Sequence, residues 1–161
     1  INDLSASGLI SQTAEGTNKW ITTAYTKSEL LEKAYGRLKT PVDRILYVKG
    51  TAQIEHPIAS GIRALARQSM IGVNDQDGAI AISKKEAAKI PAEDICTKQY
   101  FEDFGGAVIE VWSYDPIILE RDGCVDDISL LLSMDNDPNE RVQTCLDEIR
   151  QKHGLPIKEE E

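Results

Sequence analysis

Three basic side chains and one histidine have the chemistry to bind an anion. Lys49 follows a short apolar segment, His56 precedes Pro57, and Arg63 and Arg67 are four positions apart, so they share one face of a helix. Two interpretations remain open. Arg63, Arg67 and Lys49 could form a cationic pocket near His56, or they could be charges on the wet side of a helix whose other face is buried. His56 is interpreted as a local hydrogen-bonding or capping residue.

Glu110 is the one charged residue in an otherwise apolar segment, residues 108–112. With Asp94 and Asp103 upstream, it could form a carboxylate site that binds magnesium, as in a nuclease. Such chemistry usually includes a lysine, but Trp112 stands two residues after Glu110, where a lysine would serve. The simpler interpretation is a solvent-facing position in an alternating strand.

The cysteines and glycines of the sequence match no known catalytic or cofactor motif. Cys96, Cys124 and Cys145 are widely spaced without a CxxC pair, which predicts reduced thiols in a cytoplasmic protein. Cys145 falls in helical register with apolar neighbours and is predicted to lie in the core. The sequence lacks GxSxG and GxGxxG, and the glycine pair at 105–106 precedes a strand, so it does not open a phosphate-binding helix. We predict no catalytic residue, cofactor or metal.

Composition and charge limit the partners that this chain can bind alone. Of its 161 residues, 41% are hydrophobic and 28% are charged, a balance typical of a globular domain. The net charge of −9 opposes a nucleic-acid backbone, so any DNA contact requires a local patch or residues outside this chain. Its apolar runs are far shorter than the roughly 20 residues that cross a bilayer. We therefore predict a cytoplasmic protein without membrane contact.

Apolar spacing and capping signals predict alternating helices and strands after residue 25. Thr26 with Glu29, and Ser83 with Glu86, match capping boxes. Pro57 is predicted to open a helix in its first turn. The predicted helices are 27–38, one starting at 57, 83–90, 126–134 and 138–152, and the predicted strands are 45–48, 79–82 and 108–112.

The first 25 residues predict the end of a helix followed by two strands. Gly8 suits a helix end because it adopts positive φ without a Cβ clash. Strands are predicted at 9–12 and 19–25, with a polar loop at 13–18. The chain starts at Ile1, in what reads as the last turns of a helix, so we expect preceding residues to be missing.

The succession of helix end, strand, polar loop and strand in residues 1–25 resembles the end of a winged-helix recognition helix that runs into its wing. In such domains the helix enters the major groove and the hairpin lies over the phosphate backbone. The resemblance implies that Lys19, Asn18 and Thr17 contact DNA phosphates at the tip of the wing. An exposed lysine without a ligand is the alternative for Lys19. The residues that read bases would precede Ile1.

The remaining chain is similar to the domain that follows the winged helix in poorly characterised MarR-like bacterial transcriptional regulators. The similarity is carried by residues 57–66 with Met70, residues 109–116, and residues 126–133 continuing into 139–143. Asp127 departs from the pattern, in which a proline is expected. The resemblance implies a regulator and indicates no effector.

Together these observations predict an α+β fold: a small mixed or antiparallel sheet covered by helices and preceded by a truncated winged-helix wing. Residues 1–25 would be the winged-helix remnant, 26–157 a regulatory or dimerisation domain, and 158–161 a solvated tail. The predicted function is a non-enzymatic part of a homodimeric DNA-binding transcriptional regulator. The alternatives are an antitoxin-like protein that binds a protein partner, and a metal-dependent hydrolase or nuclease.

Overall fold

The computed structural model describes residues 2–50, 53–69, 71–72 and 78–157. The helices in this part of the chain are α1 Asn2–Ala6, α2 Lys27–Tyr35, α3 Gly61–Gln68, α4 Lys84–Ala87, α5 Lys98–Phe104, α6 Asp127–Met134 and α7 Glu140–Lys152. The strands are β1 Ser11–Glu15, β2 Asn18–Thr22, β3 Val42–Val48, β4 Ile58–Ser60, β5 Ala79–Ser83, β6 Ile95–Cys96 and β7 Ala107–Trp112. The predicted α+β class is confirmed.

The chain divides into two compact units. One combines its two ends, Ile1–Lys39 and Asp147–Glu161, and the other is Thr40–Leu146. The first contains the hairpin of β1 and β2 together with α1 and α2. The second contains the larger sheet.

The larger sheet is mixed, with strand order β4-β5-β7-β3-β6. Only β5 and β7 run parallel, and the other neighbouring strands are antiparallel. A parallel pair requires a crossover, and α4, β6 and α5 form it between Ser83 and Ala107. Strand β7 therefore lies in the middle of the sheet, bonded to β5 on one side and to β3 on the other.

Alternate residues of the central strands form the core of the second unit. Ile80, Ile82, Ile109 and Val111 lie on one face of the sheet and pack with Val48 and with Ala87 of α4. The opposite face holds Val108, Glu110 and Trp112, because side chains alternate along a strand. The alternation predicted for β7 is therefore present.

Strand β4 replaces the helix predicted to open at Pro57. Residues Ile58–Ser60 are extended, and α3 begins only at Gly61. Strand β4 is held on both sides: it pairs with β5, and on its other side the Ala59 N–H donates to the Gly123 carbonyl at 2.8 Å and the Ala59 carbonyl accepts the Val125 N–H at 3.0 Å. Two sets of sheet hydrogen bonds outweigh the helix-opening preference of one proline.

Two further differences from the prediction concern exposed segments. The polar loop at 13–18 is in fact a two-residue turn, Gly16 and Thr17, because β1 and β2 extend to either side of it. Helix α5 was not predicted, although Tyr100, Phe101 and Phe104 have helical spacing, and none of its residues is buried. Its local signal was Thr97, whose side chain accepts the Tyr100 N–H at the start of the helix. Within the described residues, no helix has the length and apolar character needed to cross a bilayer.

Candidate functional site

Helix α1 ends at Gly8 with the hydrogen bonds of a Schellman motif. The Leu9 N–H donates to the Leu4 carbonyl at 3.0 Å, and the Gly8 N–H donates to the Ser5 carbonyl at 3.0 Å. Gly8 has φ +72, which a residue with a side chain rarely adopts. The predicted helix end is confirmed, and it turns the chain into the hairpin.

The hairpin is anchored at its base and open along its length. Leu9 is buried, and its carbonyl accepts the Thr23 hydroxyl at 2.8 Å, which joins the two ends of the stem. The Gln12 amide donates to the Ser5 hydroxyl of α1 at 2.8 Å. All ten residues of β1 and β2 are exposed. The hairpin thus projects from a fixed base.

The three residues predicted to contact DNA lie together at the tip. Gly16 has φ +62 and occupies the first turn position, where two-residue hairpins use glycine. Thr17 is the second turn residue, and Asn18 and Lys19 begin β2. All three predicted residues are exposed, and Glu15 is the register partner of Asn18. The tip presents one cation with hydrogen-bonding side chains beside it.

The acidic charge is concentrated in the second unit. Residues 40–146 contain 18 Asp and Glu but only 10 Lys and Arg, which gives −8 of the total −9. Residues 1–39 contain four acidic and five basic residues. The hairpin therefore belongs to a segment that does not repel phosphate in the way the whole chain does.

The two tryptophans have different environments. Trp112 is buried and packs edge-on against Tyr114, so it is a core residue. Trp20 is 57% exposed on β2, with Ile21 beside it at 54%. Trp20 is therefore not part of the core.

The residues predicted to form an anion pocket lie apart, because strands β5 and β7 separate the strands next to them. Lys49 follows β3, donates to the Glu93 carbonyl at 2.5 Å and lies 5.8 Å from the Tyr100 ring centre. Arg63 and Arg67 are on α3, directly after β4, and β5 and β7 separate β4 from β3. His56 is exposed. The structure brings Arg63 and Arg67 together on one helix, but it does not bring Lys49 to them.

Arg67 contacts the loop that follows β7. Its guanidinium lies 3.5 Å from the Gly123 carbonyl and 3.7 Å from Cys124 Sγ. Cys124 is buried, while Cys96 and Cys145 are half-buried, and all three are free thiols. Cys145 is therefore at the edge of the core, although its neighbours Val142 and Leu146 are buried.

Glu110 is not the solvent-facing residue that strand alternation predicted. It is half-buried, and its Oε2 accepts the Ser60 hydroxyl at 2.5 Å and the Trp112 indole N–H at 3.1 Å. Ser60 occupies the N-cap position before α3, but its hydroxyl donates to Glu110 and does not cap the helix. No sequence signal indicates the contact between Ser60 and Glu110, which are 50 residues apart.

The other carboxylates considered with Glu110 lie elsewhere. Asp103 is on α5 and accepts the Gln99 amide at 3.1 Å, and the Asp94 carbonyl accepts the Lys49 N–H at 2.9 Å next to β6. In the part of the chain that the structure describes, no group of three or more His, Cys, Asp or Glu is arranged to hold a metal ion.

Comparison with family models, with curated proteins and with solved structures gives no match for this chain.

Proposed function

We propose that this chain is the regulatory part of a cytoplasmic DNA-binding transcriptional regulator, and that the hairpin of β1 and β2 is its wing. The observation that carries the proposal is the hairpin itself: ten exposed residues projecting from a base fixed to the end of α1. An isolated two-stranded hairpin is only marginally stable in water, and a surface contact is the simplest use for one held in this way.

The charge distribution supports contact between the tip and a phosphate backbone. Lys19 can replace a counterion at one phosphate, and Asn18 and Thr17 can donate hydrogen bonds to phosphate oxygens. Residues 1–39 contain one more basic than acidic residue, whereas residues 40–146 are strongly acidic.

Regulation would operate through the spacing of two DNA-reading elements in a homodimer. A dimer binds two half-sites only if its reading helices match their separation. A state change that alters this separation shifts the population between binding and non-binding forms. Helices α2 and α7 are the proposed interface elements.

The experiment is a salt series of duplex-DNA binding by the natural full-length gene product. We expect affinity to fall steeply with salt, and Lys19→Ala to reduce the slope of log affinity against log salt by about 0.9, the value for one phosphate contact. Lys85→Ala is the matched control, because Lys85 is exposed on α4 in the acidic unit. Binding that is absent or independent of salt would rule out the proposal.

A second candidate, a protein that binds a stoichiometric partner as an antitoxin does, is favoured by a different observation. Ile117, Ile118 and Leu119 are consecutive and are 56%, 70% and 48% exposed. Such an apolar group favours a protein contact. The test is co-purification of the natural protein with a partner in fixed ratio. Ile118→Asp should abolish co-purification of the partner, while Ile157→Asp, at another exposed isoleucine, should leave it unchanged. Purification of the natural protein without a partner would exclude this candidate.

A further inference from the structure

A cavity of about 560 Å³ opens beside the face of the larger sheet that holds Glu110. Its apolar walls are Ala79 and Val108 from the sheet, Ile62 from α3 and Leu132 from α6. All its lining residues belong to the second unit. The volume falls in the range of about 300–1,000 Å³ that small-molecule sites occupy.

Glu110 brings a carboxylate to this otherwise apolar wall. Ser60 and Trp112 both donate to its Oε2, which fixes the orientation of the carboxylate. The other oxygen, Oε1, faces Gly61, another lining residue. Within the described residues Glu110 forms no ion pair with a lysine or arginine. A half-buried carboxylate in a fixed orientation is a receptor for a positively charged donor.

A second part of the cavity lining, here called the Asp137 rim, is acidic and also fixed in position. It is formed by Asp135, Asn136 and Asp137, which follow α6. The Gln143 amide of α7 donates to the carbonyls of Asp135, at 3.3 Å, and of Asp137, at 2.8 Å. The Asp137 carboxylate accepts the Asn139 N–H at 2.9 Å. The rim is therefore preorganised and needs no ordering when a ligand binds.

The arrangement of these groups indicates the class of ligand. The carboxylates do not converge, since the described residues contain no metal-binding group of three. Apolar walls suit a hydrocarbon body, and separated carboxylates suit cationic groups at its ends. We propose that this cavity binds a small organic cation, with one ammonium or guanidinium group at Glu110 and a second at the Asp137 rim. The site does not depend on whether the chain binds DNA.

The test is calorimetric titration of the whole chain with three linear probes of similar length: 1,4-diaminobutane, 1,4-butanediol and succinate. We expect the diamine to bind and the neutral diol and the dianion to show no binding. Magnesium chloride at the same ionic strength separates an organic-cation site from a metal site. Equal binding of the diol, or magnesium binding that displaces the diamine, would overturn the proposal.

Two variants and a matched control locate the binding. Glu110→Gln retains an oxygen to accept from Ser60 and Trp112 but removes the charge, and it should weaken diamine binding about tenfold or more. Glu102→Gln, an exposed α5 position outside the cavity, removes the same charge and should leave affinity unchanged. Asp137→Asn keeps the oxygen that accepts the Asn139 N–H and provides a second test at the rim. If all three variants bind alike, the diamine is responding only to the net charge, and the site is wrong.

Discussion

Tyr114 shows how a half-buried contact shifts the pKa of a titrating residue. Its hydroxyl lies 2.5 Å from the Ser129 hydroxyl, and its ring meets Trp112 edge-on. Burial raises the pKa of the Tyr114 phenol, the Ser129 hydrogen bond lowers it, and the nearby Asp126 charge raises it further. The net direction is above the ordinary value of 10.0.

This direction predicts a loss of stability in alkali. The folded state holds the Tyr114 proton more tightly than the unfolded chain does, so its contribution is complete below pH 10 and is lost as the pH rises through the folded pKa. Denaturation at increasing pH should show that Tyr114→Phe loses stability less steeply than the wild type above pH 10. Ser129→Ala removes the contact that lowers the pKa and should steepen the loss. Identical slopes for all three proteins would contradict the assignment.

Side-chain hydrogen bonds between residues within one helical turn could be predicted from the sequence. Hydrogen bonds between residues far apart in the sequence could not. Thr26 and Ser83 form the predicted capping boxes, and Asp126, at the start of the predicted helix 126–134, caps α6. In each case donor and acceptor are within three residues. The pairing of Ser60 with Glu110 depends on the register of β4, β5 and β7, which local spacing does not encode.

Among the elements, the junction of β4 and α3 depends on one glycine. Gly61 has φ +54, which lets the chain turn from an edge strand directly into a helix. A side chain there would lie 3.7 Å from Glu110 Oε1, an ordinary contact, so the cost of adding one is conformational.

Gly61→Ala should therefore destabilise the protein by roughly 1–2 kcal/mol. Gly36→Ala is the matched control, because Gly36 has φ −65 and no atom within 4 Å of an added Cβ. It should stabilise the protein by about 0.5 kcal/mol, since alanine restricts the unfolded chain. Urea denaturation measures both, and equal shifts for the two variants would mean that the Gly61 conformation carries no strain.

The elements that sequence reasoning missed have different burial. Helix α5 contains no buried residue, and the two-residue strand β6 pairs with the end of β3. Strand β4 is fully buried, but its extended backbone depends on pairing with β5, which local spacing does not encode. The strands with strong β-branched content, β5 and β7, were placed within one residue of their observed ends. The exposed strands β1 and β2 were also predicted, so burial alone does not decide which elements a sequence reveals.

For the whole molecule, the fold class was predictable and the division of charge emerged only with the structure. The total of −9 argued against nucleic-acid contact, but −8 of it lies in residues 40–146. The same acidity that disfavours DNA at the second unit favours a cation in its cavity. The first unit contains 9 acidic and 8 basic residues and is therefore close to neutral.

The position of β7 also determines when the sheet can be completed during synthesis. It is the last strand made, yet it separates β5 from β3 and pairs with both. A nascent chain that ends before Ala107 therefore holds β3 and β5 with open edges, which are templates for pairing with other chains. Until Trp112 has left the ribosome, the larger sheet cannot close, and this interval is when the protein is most exposed to aggregation.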